Sequence, residues 1–142
     1  MQKPVLASDA VWKQRFRAPA LFLPTIAWNN PSRGSVLSNE SGVRQLYAWD
    51  IPKGTLAPVT SVPTGVLLGT ISVDGNYLYY MQDKEGNETG HFVRIPFEGG
   101  EPEDLTPDLD PYSGYFVMEN RAGGTLGLLT ANKAGKQIYT IQ

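Results

Sequence analysis

Gln45-Leu46-Tyr47-Ala48-Trp49, His91-Phe92-Val93-Arg94-Ile95 and Gln137-Ile138-Tyr139-Thr140-Ile141 are three versions of one stretch, with Leu46, Phe92 and Ile138 in register at a spacing of 46 residues. Supporting positions keep the same offset: Val59-Thr60 is answered by Leu105-Thr106, and Gly54 by Gly100. Ahead of each stretch lies a polar turn, Asn39-Glu40-Ser41-Gly42, then Asp83-Lys84-Glu85-Gly86, then Asn132-Lys133-Ala134-Gly135. The turn glycines are spaced 44 and 49 residues apart, so the hairpin loop varies while the strand does not. A period of roughly 40–50 residues made of short strands is the mark of a propeller, in which each repeat is one small sheet that cannot bury its faces alone.

Around these anchors the pattern reads as strand and turn. Ile26-Ala27-Trp28 and Ser35-Val36-Leu37-Ser38 are short apolar runs separated by Asn29-Asn30-Pro31, a turn signal. Gly69-Thr70-Ile71-Ser72-Val73 leads through Asp74-Gly75-Asn76 into Tyr77-Leu78-Tyr79-Tyr80-Met81, and Asp-Gly favours a tight hairpin because glycine accepts positive φ. Thr89 to Phe97, Tyr115 to Met118, Leu126 to Thr130 and Gln137 to Ile141 supply further strands. The expected organisation is an all-β, partial β-propeller of about three blades, spanning 27–68, 69–114 and 115–142, the last incomplete. Residues 1–26 form a short irregular N-terminal segment. Val11 to Phe16 could make one helical turn there, and Pro19 and Pro24 break any regular element.

Composition narrows the function classes. The chain has 142 residues, 11% of them aromatic and only 18% charged, with 15 glycines and 11 prolines, which suits many strands joined by tight turns. A net charge of −2 with scattered Lys and Arg offers no field for a phosphate backbone, so nucleic acid is not an expected partner. Cysteine is absent, which removes disulfides, thiolate metal sites and cysteine nucleophiles together and fits a reducing, cytoplasmic setting. The first residues lack a signal-peptide apolar stretch, and no run approaches the roughly 20 apolar residues that span a bilayer, so no membrane partner is expected. Asn39-Glu40-Ser41 and Asn87-Glu88-Thr89 match the glycosylation sequon, but both fall where hairpin turns are expected.

Three blades are too few to close a ring, since propellers use typically 4–8. The flat face of the last blade, with Leu128 and Ile138, is expected to stand uncovered until further blades or other subunits complete the ring.

The ordered wording of the blades resembles a known family. Ser38-Asn39-Glu40-Ser41-Gly42 with Gln45 to Asp50, then Ser72-Val73-Asp74-Gly75, then Gln82-Asp83-Lys84-Glu85-Gly86-Asn87-Glu88, then Gly99-Gly100-Glu101-Pro102-Glu103-Asp104-Leu105-Thr106-Pro107 look like the N-terminal propeller of prolyl oligopeptidase family (S9) serine peptidases. The resemblance covers roughly residues 12–118. It implies a non-catalytic, substrate-gating segment whose partners are a C-terminal α/β-hydrolase domain or further blades and the peptide substrate of the parent enzyme. The catalytic half is missing: the nearest approach to Gly-x-Ser-x-Gly is Asn30-Pro31-Ser32-Arg33-Gly34, which lacks the first glycine. This chain alone is therefore not expected to be an enzyme. The alternative is a stand-alone binding or scaffold module that completes its ring by self-association.

No residue is expected to serve catalysis, a cofactor or a metal. His91 is the single histidine, and its match to Gln45 and Gln137 suggests a polar packing slot at the head of a repeated strand rather than a base. Asp83, Glu85, Asn87 and Glu88 invite a calcium reading, yet the EF-hand loop needs Gly sixth and Glu twelfth, where this chain has Glu88 and Arg94. Glu98, Glu101, Glu103, Asp104, Asp108 and Asp110 read as water-facing charge that could weakly attract cationic peptide ends. Trp28, Trp49, Tyr77, Tyr79 and Tyr80 are expected in the core between blades more than along a ligand channel.

Overall fold

The computed structural model describes residues 18–83, 85–119 and 125–141; the helical turn expected at Val11 to Phe16 lies outside them. Among the described residues there are strands and no helix, and hence no helix long and apolar enough to cross a membrane. The first sheet holds β1 (Leu21–Ile26), β2 (Arg33–Ser38), β3 (Gln45–Asp50) and β4 (Thr55–Pro58) in sequential order. The second holds β5 (Gly69–Ile71), β6 (Tyr77–Asp83), β7 (Gly90–Pro96) and β8 (Glu103–Asp104). The third holds β9 (Ser113–Glu119), β10 (Thr125–Asn132) and β11 (Gly135–Ile141). All pairings are antiparallel. Three successive antiparallel meanders packed in chain order make a partial β-propeller.

The 46-residue repeat is the third strand of each sheet. Leu46 lies in β3, Phe92 in β7 and Ile138 in β11. The supporting match has a physical basis as well: Val59 N–H donates to the Leu46 carbonyl, and Leu105 N–H donates to the Phe92 carbonyl, each at 2.9 Å. The three polar turns join the second strand of each sheet to its third.

Two expectations need correction. The first blade begins at Leu21, inside the stretch expected to be irregular, because β1 pairs with β2 across a bulge between Phe22 and Thr25. Pro24 lies at that bulge on an edge strand, where a missing N–H costs no ladder bond, and the adjacent Leu23 takes up the bend at φ 48°. Likewise β9 opens at Ser113, two residues ahead of Tyr115. The second correction concerns the last blade. Ile138 is bare at 78% exposure, but Leu128 is 0% exposed, because the pairing of Leu128 with Tyr139 and Leu129 with Ile138 puts the two on opposite faces.

Packing follows strand alternation. From β6 and β7, Leu78, Tyr80, Val93 and Ile95 join Leu37, Leu46 and Ala48 of the first sheet in one core. The intervening Tyr79, Met81 and Phe92 turn the other way and pack with Leu126, Leu128 and Phe116 of the third sheet. A strand covered on both faces reads as a continuous apolar run, which explains Tyr77 to Met81. Leu37, Leu46, Leu78 and Leu128 have no exposed surface, and burying each contributes about 1.5–3 kcal/mol. Gly69 lets the first two sheets approach: a Cβ there would stand 2.6 Å from Leu46 Cδ1. Of the aromatics expected in the core, Tyr80 is buried and Trp49, Tyr77 and Tyr79 half-buried, whereas Trp28 is 66% exposed in the turn after β1.

Local chemistry fixes the hairpin between β5 and β6. Gly75 sits at φ 76°, and its N–H donates to the Ser72 carbonyl. Asp74 accepts from Ser72 Oγ at 2.6 Å and from the Asn76 backbone and side chain. Burial pushes the Asp74 carboxyl up, but these hydrogen bonds together outweigh it and hold the group below the usual aspartate value. Arg33 ties the same hairpin to the first sheet, donating to the Gly75 carbonyl at 3.1 Å, pairing with Glu98 at 2.8 Å and lying over the Phe97 ring.

Candidate functional site

The polar slot expected at the head of the repeated strand exists in the first two sheets, built from different groups. In the first, Gln45 is buried and grips the chain that leaves β4. Its Oε1 accepts from Thr60 Oγ1 at 2.8 Å and from Val62 N–H at 3.0 Å, while its Nε2 donates to the Val62 carbonyl at 2.7 Å. Thr60 Oγ1 in turn accepts from Leu46 N–H at 2.9 Å. A side-chain amide thus holds both main-chain groups of one residue, and every group it touches is satisfied.

In the second sheet His91 stands where Gln45 does. Its Nδ1 lies 2.6 Å from Asp104 Oδ2, and its ring stacks on Tyr112 with centroids 5.5 Å apart and planes 6° from parallel. The Asp104 carboxylate can only accept, so in the neutral ring the proton sits on Nδ1 and Nε2 is left as an acceptor. That Nε2 is buried and is the buried side-chain polar atom without a partner among the described residues. The bond that Thr60 makes to the third strand is made here through Tyr112, whose hydroxyl accepts from Phe92 N–H at 2.9 Å and pairs with Thr106 Oγ1 at 2.7 Å. Burial pushes the Tyr112 phenol up, with the bonds to Phe92 and Thr106 opposing, so it stays neutral and able to donate.

Tyr112 also extends the repeat. Its N–H bonds the Gly90 carbonyl at 3.0 Å as Val66 N–H bonds the Arg44 carbonyl at 2.7 Å, and 66 to 112 is again 46 residues. In the third sheet Gln137 has no such slot: it is exposed, and its Oε1 accepts from the Tyr139 hydroxyl beside it.

Beside each slot lies a cavity in the same place. The first, of about 330 Å³, has Ser41, Val43, Gln45 and Pro58 in its wall, and Ser61 to Pro63 close one side. The second, of about 670 Å³, has Asn87, Thr89, His91 and Asp104 at those repeat positions, with Gln82, Pro102 and Pro111 on its exposed rim. Its volume falls in the ordinary range of ligand pockets.

Several of the acidic side chains are engaged within the protein. Glu98 pairs with Arg33, Glu103 with Arg94 at 2.7 Å and Asp104 with His91. In the loop after β6, Asp83 accepts from Glu88 N–H at 3.0 Å and Thr64 Oγ1 at 3.2 Å, which makes it the brace of a hairpin turn. No three His, Cys, Asp or Glu side chains converge on one point among the described residues. No serine hydroxyl is hydrogen-bonded to His91 among the described residues. Sequence reasoning placed His91 in a slot with Gln45 but missed Asp104 and Tyr112, although the 46-residue offset between Val66 and Tyr112 was available.

Fold and repeat together define a protein of the β-propeller class. Among solved structures, the crystal structure of TolB from Acinetobacter baumannii is similar in fold, with a TM-score of 0.50 and 17% sequence identity over 88% of this chain. The match covers 32% of that chain, so the present sequence spans about a third of it. No protein-family model and no curated protein matches the chain.

Proposed function

We propose that this chain is a non-catalytic propeller segment that restricts access to a catalytic partner, in the manner of the N-terminal propeller of prolyl oligopeptidase family serine peptidases. The observation that carries the reading is the ordered motif set. Its members fall in the same turns and strands of successive blades: Asn39 to Gly42 and Asp83 to Gly86 between second and third strands, and Ser72 to Gly75 between first and second. A propeller offers rigid sheets and variable loops, a scaffold for gating and recognition more than for proton transfer. The chemistry then belongs to an α/β-hydrolase domain, with a peptide as substrate.

Two measurements test this. Purified protein should take up no fluorophosphonate label and turn over neither a prolyl anilide nor an activated ester; a labelled serine overturns the non-catalytic role. The coding frame that follows Gln142 should carry a Gly-x-Ser-x-Gly nucleophile elbow. A frame leading into an unrelated domain, with no hydrolase gene adjacent, overturns the peptidase link.

A further inference from the structure

The two slots are the same place in successive blades, and one of them shows what the place can hold. In the first sheet the occupant is the chain's own Ser61-Val62-Pro63, which enters a turn there and is fixed to Gln45 by the main-chain N–H and carbonyl of Val62. In the second sheet the corresponding chain, Pro107 to Pro111, is drawn elsewhere. Leu109 N–H turns back to the Thr106 carbonyl, and the Leu109 side chain packs against the core around Phe92 and Leu128. His91 makes no bond to this segment. The result is a cavity about twice as large, with His91, whose buried Nε2 has no partner, in its wall at the repeat position that Gln45 holds in the first.

We propose that the slot of the second sheet is a binding site for a short, proline-bearing peptide segment of a partner protein. The first slot shows that a segment of this kind fits this place in a blade, although His91 offers one free ring nitrogen where Gln45 offers a donor and an acceptor. In the chain's own linker Leu109 is committed to the core and Tyr112 to Gly90, which leaves Pro111 at the rim. Prolines at 102 and 111 on the rim present apolar surface without N–H groups, which suits a peptide that brings its own donors. Asn87 and Thr89, whose side chains bond one another at 2.8 Å, offer polar contact at the rim. Because Nε2 has no exposed surface, a peptide N–H reaches it only as the ring or the wall shifts, so the shape of the slot supplies the initial hold. This inference rests on the comparison of the two slots and not on the peptidase reading.

The test titrates the isotopically labelled full chain with the acetylated and amidated peptide Thr-Ser-Val-Pro-Thr, a copy of the first slot's occupant, followed by amide chemical shifts. Saturable shifts centred on Asn87, Thr89 and His91 are expected in the millimolar range. In Thr89→Trp, which fills the slot, binding should weaken by about tenfold or more, the equivalent of losing one well-made hydrogen bond. Melting temperatures of the two proteins should agree; if Thr89→Trp does not fold, Pro102→Trp on the exposed rim gives the same readout. Shifts confined to residues around Gln45, unchanged affinity in the folded variant, or no saturable shift would each overturn the proposal.

Discussion

The second and third sheets descend from the same repeat, yet their faces meet different surroundings. In the second, Leu78 and Tyr80 face the first sheet while Tyr79, Met81 and Phe92 face the third. In the third, Leu126, Leu128 and Phe116 face the second sheet, and the opposite face presents Tyr115, Val117, Leu129 and Ile138 to solvent. A blade's stability is therefore not a property of its own sequence. It is shared with whichever neighbours cover it, as in other repeat architectures, where interface terms add to intrinsic ones.

Truncations in the core between the second and third sheets break this comparison most directly. Leu128→Ala should destabilise the protein by about 2–5 kcal/mol in urea denaturation, the cost of a buried leucine plus its cavity. Phe92→Ala should fall at about 3–5 kcal/mol, since the ring packs on both Tyr112 and Phe116. Tyr112→Phe keeps the ring but removes the hydroxyl that receives Phe92 N–H, leaving a buried donor unsatisfied. The expected loss is about 1–3 kcal/mol, read as a lower urea midpoint with an unchanged slope.

Smaller effects sharpen the contrast. Ile138→Lys should change stability by no more than about 0.5 kcal/mol, while concentration-dependent self-association seen by light scattering declines, because it places a charge on the bare face. The least effect concerns Asp74, whose carboxyl is held below its usual value in the folded state. Its contribution is present above the unfolded value and is lost as pH falls through the folded one. Stability measured from pH 7 down to the acid range should therefore fall slightly less steeply in Asp74→Asn than in the parent.

The fold was legible because the repeated strand carries a buried residue in each of the first two sheets, Leu46 and Phe92, and sequence register at such positions tolerates little drift. The strand β1 was not legible, since Pro19 and Pro24 signal a break and only the edge position with its bulge makes Pro24 acceptable. The short β4 and β8 lack apolar alternation and form because β3 and β7 offer them an edge. Among site residues, the kinship of Gln45 and His91 showed in the spacing. What did not show was that one slot is filled and the other open. That outcome depends on the paths of the two linkers, 59–68 and 105–112, where Val62 keeps its main chain available to Gln45 while Leu109 is pulled toward the core.

Tyr112 sits at the join between the second blade and the third. It is 1% exposed, its main chain pairs with Gly90, its hydroxyl caps Phe92 N–H, and Ser113 beside it begins the next sheet. The Phe92 amide proton is consequently locked by a residue outside its own strand ladder. Its exchange with deuterated solvent should report how often the core between the second and third sheets opens, whereas the Leu46 amide, held by Thr60, should report the opening of the core between the first and second.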